Sequence, residues 1–494
     1  MQDNNVNSNS RIVKGLSWKM LERFGVAGIQ FVLQIVLARL LTPEHYGILS
    51  IMLVFTSLAN VFVQTGFNTA LIQNKDVTDE DYSSAFWVSS GIALVMYGVI
   101  FFSAPVIAQY YGMPDIVVPL RVLALMLFPG AFNSIQLAKL SRGMDFRRVF
   151  LSNVGGATIA GIAGVVVAYL GGGLWALVVQ NILLYLAACI VMLFTVHWYP
   201  RFVCNIKRVA VLFQFGWKML ASGLLDTLYQ SLYSLVIGKK YDSGTLGYYN
   251  RGKQFPLFFA KAADNANQSV MLSAMSAEQD DKNRIKNMMR TSMTMSAYIM
   301  FPMMAGLAAI ATPLIELLLS EKWLAAVPYM QICCFSMAFD PVNGCNLQAI
   351  NAIGRSDLFL KLGIVKKIFG IAVLVIAVSF FNSPLTIAMA ELATMWISWL
   401  VNAVPNKRLI GYSYKEQILD ILPLLFMASV MFVMVLLVGK KCEILGMQSM
   451  LQMLIQIVSG VAIYILMSVL LKPRSFLILL DQIRGALGGR RKWK

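Results

Sequence analysis

The sequence predicts an all-α polytopic membrane protein of about fourteen transmembrane helices, built as two six-helix lobes in a parallel repeat plus a C-terminal helix pair. Three observations predict this class: long apolar stretches, an internal duplication and a one-sided distribution of cations. Hydrophobic residues make up 58% of the 494 positions and charged residues only 13%. A water-soluble protein of this length would not keep so little polar surface in contact with solvent.

Apolar stretches follow one another along the whole chain, and a spanning helix needs roughly 20 mainly apolar residues. The fourteen predicted segments lie near 16–40, 47–72, 84–110, 119–140, 149–170, 174–196, 216–238, 254–275, 293–319, 324–350, 359–381, 385–404, 418–438 and 449–471. Segments 1–6 form the first predicted lobe (1–197), segments 7–12 the second (198–406), and segments 13 and 14 the C-terminal pair (407–472). The remainder, 473–494, is predicted to be a cytoplasmic amphipathic basic tail on the membrane surface.

The formal charge of +17 first suggests an anionic partner such as nucleic acid. Its distribution indicates membrane topology instead, because most of the 41 Lys and Arg fall on one side of the predicted bundle. Clusters lie within 139–148, 201–208, 282–290 and 407–415. Cytoplasmic loops carry such an excess, so we expect both termini in the cytoplasm and no nucleic acid partner.

An internal duplication relates the two predicted lobes. The tetrapeptide 18–21 recurs verbatim at 217–220, an offset of 199. Later pairs keep an offset that drifts slowly from 200 to 212: Gly47 with Gly247, Pro105 with Pro313, Pro119 with Pro328, Gln136 with Gln348, and Asp145 with Asp357. Each unit holds six segments, so both enter the membrane from the same side and the repeat is parallel. In such architectures the substrate path lies between the halves.

Polar side chains at helical spacing mark segments 1, 2, 7 and 8, and segments 7 and 8 are the repeat mates of 1 and 2. The candidate substrate-binding residues are Lys19, Arg23, Gln30, Gln34, Asn60, Gln64, Lys218, Asp226, Gln230, Lys261 and Asp264. Charged groups in hydrocarbon are costly and normally face a bundle interior or a water-filled cavity. The alternative, above all for the amides, is hydrogen bonding between helices.

Three further charged residues have simpler interpretations. Lys253 lies near a segment end, where its ammonium group would extend to the headgroups. Asp340 and Glu391 are isolated acids in segments 10 and 12 that either pair with a neighbour or bind a proton. We expect no enzyme activity, catalytic residue, metal or cofactor, because no nucleotide-binding or zinc motif is present and the six cysteines lack metal-ligand spacing.

The stretch Ala38–Gly47 resembles the first outer loop of bacterial polysaccharide flippases, the Wzx-type members of the multidrug/oligosaccharidyl-lipid/polysaccharide exporter superfamily. Further matches to that family lie at 70–76, 246–251, 321–323 and 349–355. The resemblance spans segments 1 to 12 in order, and the length and helix count suit the colanic-acid-exporter-like branch. It implies two lobes in a V, with segments 1, 2, 7 and 8 facing a central cavity.

The resemblance also implies a function. Such proteins flip a polyprenyl-diphosphate-linked oligosaccharide from the inner to the outer leaflet by alternating access, for export of lipopolysaccharide and other surface polysaccharides. The expected location is the bacterial inner membrane, and the expected partners are membrane lipids and polysaccharide assembly proteins. Whether a coupling proton or sodium ion is used stays open at this point.

Three other functions fit the sequence less well than flipping. A small-molecule or cation antiporter of the same superfamily would need an acid-rich, aromatic cavity, whereas cations match or exceed acids in segments 1 and 8. A membrane polysaccharide polymerase or ligase would carry a sizeable outer loop, and every predicted outer loop is short. A non-transporting scaffold would not require duplicated polar stripes.

Overall fold

A computed structural model of the chain describes residues 2–74, 76–278 and 281–487, and within those ranges it consists of helices joined by short connections, with no strand. The helices are α1 (Gln2–Leu40), α2 (Pro43–Gln73), α3 (Asp79–Tyr111), α4 (Val117–Leu123), α5 (Leu127–Arg142), α6 (Phe146–Tyr169), α7 (Leu174–Val196), α8 (Ile206–Lys240), α9 (Ser243–Ser276), α10 (Lys282–Ala309), α11 (Ala311–Leu319), α12 (Val327–Met337), α13 (Asp340–Ala352), α14 (Ser356–Phe380), α15 (Pro384–Ile410), α16 (Tyr414–Ile444), α17 (Ser449–Leu471) and α18 (Arg474–Leu487). Short 3-10 turns occupy Pro114–Ile116, Ala124–Met126 and Glu321–Ala326. The all-α prediction is confirmed.

Eleven segments in the described part of the chain are long and apolar enough to cross a membrane. The predicted count of fourteen is therefore not confirmed. The predicted segments that are missing from the eleven are 216–238 on α8, 254–275 on α9, and 324–350, which includes α12 and most of α13. The first two carry charged side chains at intervals along their length, and the third is broken into short helices. The three predicted segments that are not confirmed are thus the ones that contain charged residues or a helix break.

The chain divides into two compact units, Met1–Gly247 and Tyr248–Lys494. In the first unit the most extensive helix pairs are α6 with α7, α2 with α8, and α1 with α6. In the second unit α10 packs against α16, α16 against α17, and α14 against α15. The predicted lobe boundaries at 197 and 406 stay predictions. So does the placement of the tail on the membrane surface, and its residues from 488 onward lie outside the described ranges.

The start of α2 and the start of α9 touch through the duplicated glycines. A Cβ on Gly47 would lie 1.7 Å from the carbonyl oxygen of Ser243, and a Cβ on Gly247 would lie 2.0 Å from that of Pro43. The two contacts exchange under the offset of 200 found in the sequence. Glycine is needed at both positions because any side chain would meet backbone. This reciprocal contact supports the duplication.

The helix breaks are duplicated as well. In the first unit a 3-10 turn at Ala124–Met126 separates α4 from α5. In the second unit Ala338 and Phe339 separate α12 from α13, and Pro341 lies in the first turn of α13. These breaks differ by about the offset of 212 that relates Gln136 to Gln348. Each break interrupts one of the segments that the sequence predicts to span the membrane, and discontinuous helices of this kind occur at the binding sites of transporters.

Two polar contacts hold the C-terminal pair against α10. Arg290 lies 2.5 Å from the carboxylate of Asp420 on α16. The hydroxyl of Tyr298 donates to Ser468 on α17 at 2.8 Å. Within hydrocarbon such hydrogen bonds add to van der Waals packing in joining helices. Helices α16 and α17 are therefore integral to the second unit.

The Gly47 contact yields a stability prediction. Gly47→Ala is expected to destabilise the protein by about 1–3 kcal/mol or more, because the added methyl group meets the backbone of Ser243 and the two helix starts must separate. Gly91→Ala in α3 is the matched control, since nothing lies within 4 Å of its added carbon. Thermal unfolding in detergent measures both, and equal melting temperatures for the two variants would contradict the tight contact.

Candidate functional site

The polar face of α8 carries exposed side chains. Lys218, Asp226 and Gln230 are all exposed, and their spacing of four or eight residues places them on one side of the helix. Helix α8 also packs on α2, at a position beside this face. A Cβ on Gly223 would lie 3.2 Å from the Val61 side chain and 3.5 Å from that of Thr65. The predicted segments 2 and 7 are therefore neighbours within the first unit.

The candidate residues of α1 divide into an exposed and a partly buried pair. Lys19 and Arg23 are exposed, while Gln30 and Gln34 are partly buried. The Lys19 ammonium lies 5.3 Å from the centre of the Phe146 ring on α6, within range of a cation–π contact. Helix α1 thus rests on α6 while its two cations stay accessible.

Asn60 and Gln64 of α2 bond to each other and to the inside of the first unit. The Gln64 amide donates to Asn60 at 2.8 Å. Both side chains lie against Gly130 of α5, where a Cβ would be 3.0 Å from Gln64 and 3.3 Å from Asn60. The Ser134 hydroxyl of α5 donates to the backbone carbonyl of Gln64 at 3.4 Å. This arrangement fits hydrogen bonding between helices, and a cavity role for the two amides stays a prediction.

The candidate residues of α9 lie in the second unit. Lys261 is exposed and Asp264 is partly buried. The Asp264 carboxylate faces α13, because a Cβ on Gly344 would lie 2.8 Å from its Oδ1 atom. The structure therefore places Asp264 beside α13, the helix that follows the break.

Sequence reasoning missed a buried ion pair in the second unit. Lys253 lies 2.6 Å from Glu391 on α15, with side-chain exposures of 24% and 10%. The hydroxyl of Tyr249 also donates to Glu391 and lies 3.1 Å from Lys253. The interpretation of Lys253 as a side chain that reaches the headgroups is wrong. The signal was Glu391 itself, because an acid in a spanning helix requires a partner.

Comparison with known proteins identifies relatives along most of the chain. The sequence profile of a family described as Polysaccharide biosynthesis protein matches residues 36–328. The succinoglycan biosynthesis transport protein ExoT of Rhizobium meliloti (strain 1021) is 25% identical over 82% of this chain and 79% of its own. The lipopolysaccharide biosynthesis protein WzxC of Escherichia coli (strain K12) is 22% identical over 83% and 84%. Among solved structures, the lipid II flippase MurJ in an inward closed conformation has a TM-score of 0.73 at 15% identity, covering 92% of this chain and 98% of that one. At this identity the structural match shows a shared fold.

The buried ion pair yields a second stability prediction. Glu391→Gln is expected to cost about 3–5 kcal/mol, because it leaves the Lys253 ammonium buried beside a neutral amide. The matched control is Glu278→Gln, which removes one of the two acids paired with Arg284 in a far more exposed cluster and should cost less than about 1 kcal/mol. Unfolding in detergent compares them. Similar losses would mean that burial of the Lys253 pair has no energetic consequence.

Proposed function

The chain belongs to the polysaccharide biosynthesis protein family, and we propose that it flips a polyprenyl-diphosphate-linked oligosaccharide from the inner to the outer leaflet of the bacterial inner membrane. The observation that carries the proposal is the exposed Lys218–Asp226–Gln230 face of α8 in an otherwise apolar, many-helix membrane protein. The names of the relatives support it, since they are a succinoglycan transport protein and a lipopolysaccharide biosynthesis protein.

Charge complementarity is the physical basis of the proposal. A diphosphate and many hydroxyls would cost tens of kcal/mol to move through about 30 Å of hydrocarbon without shielding. Water along the exposed polar faces would hydrate the sugars. Arg23, Lys218 and Lys261 would attract the diphosphate, and each of these three cations is exposed. Together these effects lower the barrier that a bare bilayer presents.

The transport cycle we propose is alternating access, in which one lobe rocks against the other around the substrate. The polyprenyl chain would stay among the membrane lipids while the headgroup crosses. A proton or sodium ion could drive the cycle from Asp226 or Asp264, since each charge moved through the membrane potential gains about 2.3 kcal/mol per 100 mV. Polysaccharide assembly proteins would receive the flipped oligosaccharide in the outer leaflet.

The distribution of charge supports a flippase over a small-molecule or cation antiporter. Four of the candidate residues are cations, Lys19, Arg23, Lys218 and Lys261, and two are acids. A cavity for a cationic drug would need the opposite balance. We propose a transporter rather than an enzyme, with both termini cytoplasmic as the excess of Lys and Arg in one set of loops predicts.

Leaflet exchange in liposomes tests the function. Protein reconstituted with candidate lipid-linked oligosaccharides is expected to move them between leaflets, and Arg23→Ala, Lys218→Ala and Asp226→Ala should each slow exchange about tenfold, equivalent to ~1.4 kcal/mol of barrier. The control is Lys441→Ala, an exposed cation in the last turn of α16. Wild-type rates in all three test variants would remove these residues from the mechanism, and absence of exchange for every lipid-linked oligosaccharide would reject the proposed function.

A further inference from the structure

Arg121 fills a gap in the backbone hydrogen bonding of α3. Pro105 lies inside that helix, and a proline has no N–H to donate to the carbonyl group four residues before it. That carbonyl group belongs to Phe101, and Arg121 donates its Nε–H to it at 3.1 Å. The guanidinium carbon of Arg121 also lies 4.0 Å from the centre of the Phe101 ring. These two contacts hold the guanidinium group against α3.

The rest of the guanidinium group of Arg121 has donors to spare. A guanidinium carries five N–H donors, and the contact with Phe101 uses only Nε–H. Within 2–74, 76–278 and 281–487, Nη1 and Nη2 bond to no residue and Arg121 pairs with no acid. The side chain is only partly buried. A cation in this position of a membrane protein requires an anion or water beside it.

The second half of the chain meets the same backbone need without a charge. Pro313 is the repeat mate of Pro105 at the offset of 208, and the carbonyl group four residues before it belongs to Ala309. The side-chain amide of Gln456 on α17 donates to that carbonyl group at 3.5 Å. A neutral amide therefore suffices for this purpose. The gap in the backbone of α3 does not explain the charge of Arg121 or its Nη donors.

The surface around Arg121 is open, whereas the equivalent surface of the second half is covered. Three large apolar residues beside it are well exposed: Phe102 (79%), Val118 (57%) and Leu125 (41%). Their repeat mates at offsets of 208 and 209 are covered: Ile310 (9%), Val327 (9%) and Cys334 (0%). Helix α17, which packs against α10 and α11, lies beyond the duplicated segments. The first repeat thus leaves an apolar surface exposed around one cation.

Arg121 lies towards the outer side of the predicted bundle. With both termini in the cytoplasm, as the charge distribution predicts, α3 runs outward and the turn Pro114–Ile116 begins the return. Arg121 follows Pro114 by seven residues, or about 10 Å of helix. Long cationic side chains extend towards the headgroups, and a bilayer thins locally around an arginine. A headgroup phosphate of the outer leaflet is therefore within reach.

We propose that the first unit binds the phosphate group of an anionic phospholipid in the outer leaflet, with Nη1 and Nη2 of Arg121 as the donors. A guanidinium and a phosphate are complementary in charge and can form two parallel hydrogen bonds at once. The acyl chains would lie on the apolar surface formed by Phe102, Val118 and Leu125. Because the bond to Phe101 already orients the guanidinium group, less side-chain entropy is lost on binding. This lipid site is independent of the proposed function.

Photolabelling of the full-length protein in dodecyl maltoside, a detergent without phosphate, tests the site. The probe is phosphatidylglycerol with a diazirine on an acyl chain near the glycerol backbone. It is expected to label the surface around Phe102, Val118 and Leu125 saturably, with the adducts located by mass spectrometry. Diacylglycerol with the same diazirine has no phosphate and should label this surface about tenfold less. Inorganic phosphate should not displace the phosphatidylglycerol probe.

Two variants test Arg121 as the phosphate ligand. Arg121→Gln keeps a donor for the Phe101 carbonyl, as Gln456 does for Ala309, and should raise the half-saturating probe concentration about tenfold, or ~1.4 kcal/mol. Val118→Glu places a carboxylate one helical turn from Arg121, which should compete with the phosphate to a similar extent. If Arg121→Gln does not fold, Val118→Glu tests the site with the arginine in place.

The control is Lys441→Gln, which removes an exposed cation from the last turn of α16 and should leave the labelling unchanged. Equal labelling by the diacylglycerol probe, displacement by inorganic phosphate, or wild-type labelling in both test variants would overturn the proposal. A polyprenyl diphosphate that displaces the probe at lower concentration than phosphatidylglycerol does would assign the surface to the transported lipid instead. A dimer that protects these positions would assign it to a second copy of the chain. Labelling needs no transport, so a failure here leaves the proposed function untouched.

Discussion

An ionised side chain in hydrocarbon must find water, a counter-charge or a hydrogen bond, and most of the structure follows from that constraint. The two units satisfy it differently. In the first, the charges of α8 stay exposed along one face. In the second, Lys253 forms an ion pair with Glu391 inside the bundle. We propose a hydrated path along α8 because water beside its exposed polar face would satisfy this constraint.

The sequence predicted the features that have a regular period. Most helices could be predicted because apolar runs of the necessary length are visible in the sequence. The duplicated residues Gly47 and Gly247 make reciprocal contacts in the structure. The common face formed by Lys218, Asp226 and Gln230 also follows from spacing alone. Spacing identifies a face, however, and does not identify what that face meets. Asn60 and Gln64 had the same polar periodicity, yet their amides meet Gly130 inside the unit.

Contacts between distant positions were beyond sequence reasoning. Lys253 and Glu391 are separated by 138 residues, and nothing local indicates that α9 and α15 meet there. The break before Asp340 was equally hidden, because the apolar composition continues through it and Pro341 is compatible with the first turn of a new helix. The duplication offered a partial guide. At the offset of 212 the first-half counterpart of Asp340 is Phe128, so the two halves differ in charge at this position.

The most direct test of the central claim is the water accessibility of α8 in a lipid bilayer. Single cysteines at Ser222 and Gln230, on the polar face, and at Leu228, an exposed apolar position on another side, would be placed in a cysteine-free background and treated with a membrane-impermeant, charged maleimide. A hydrated path predicts that the cysteines at 222 and 230 react while the one at 228 is protected by lipid. Equal protection of all three positions would contradict it.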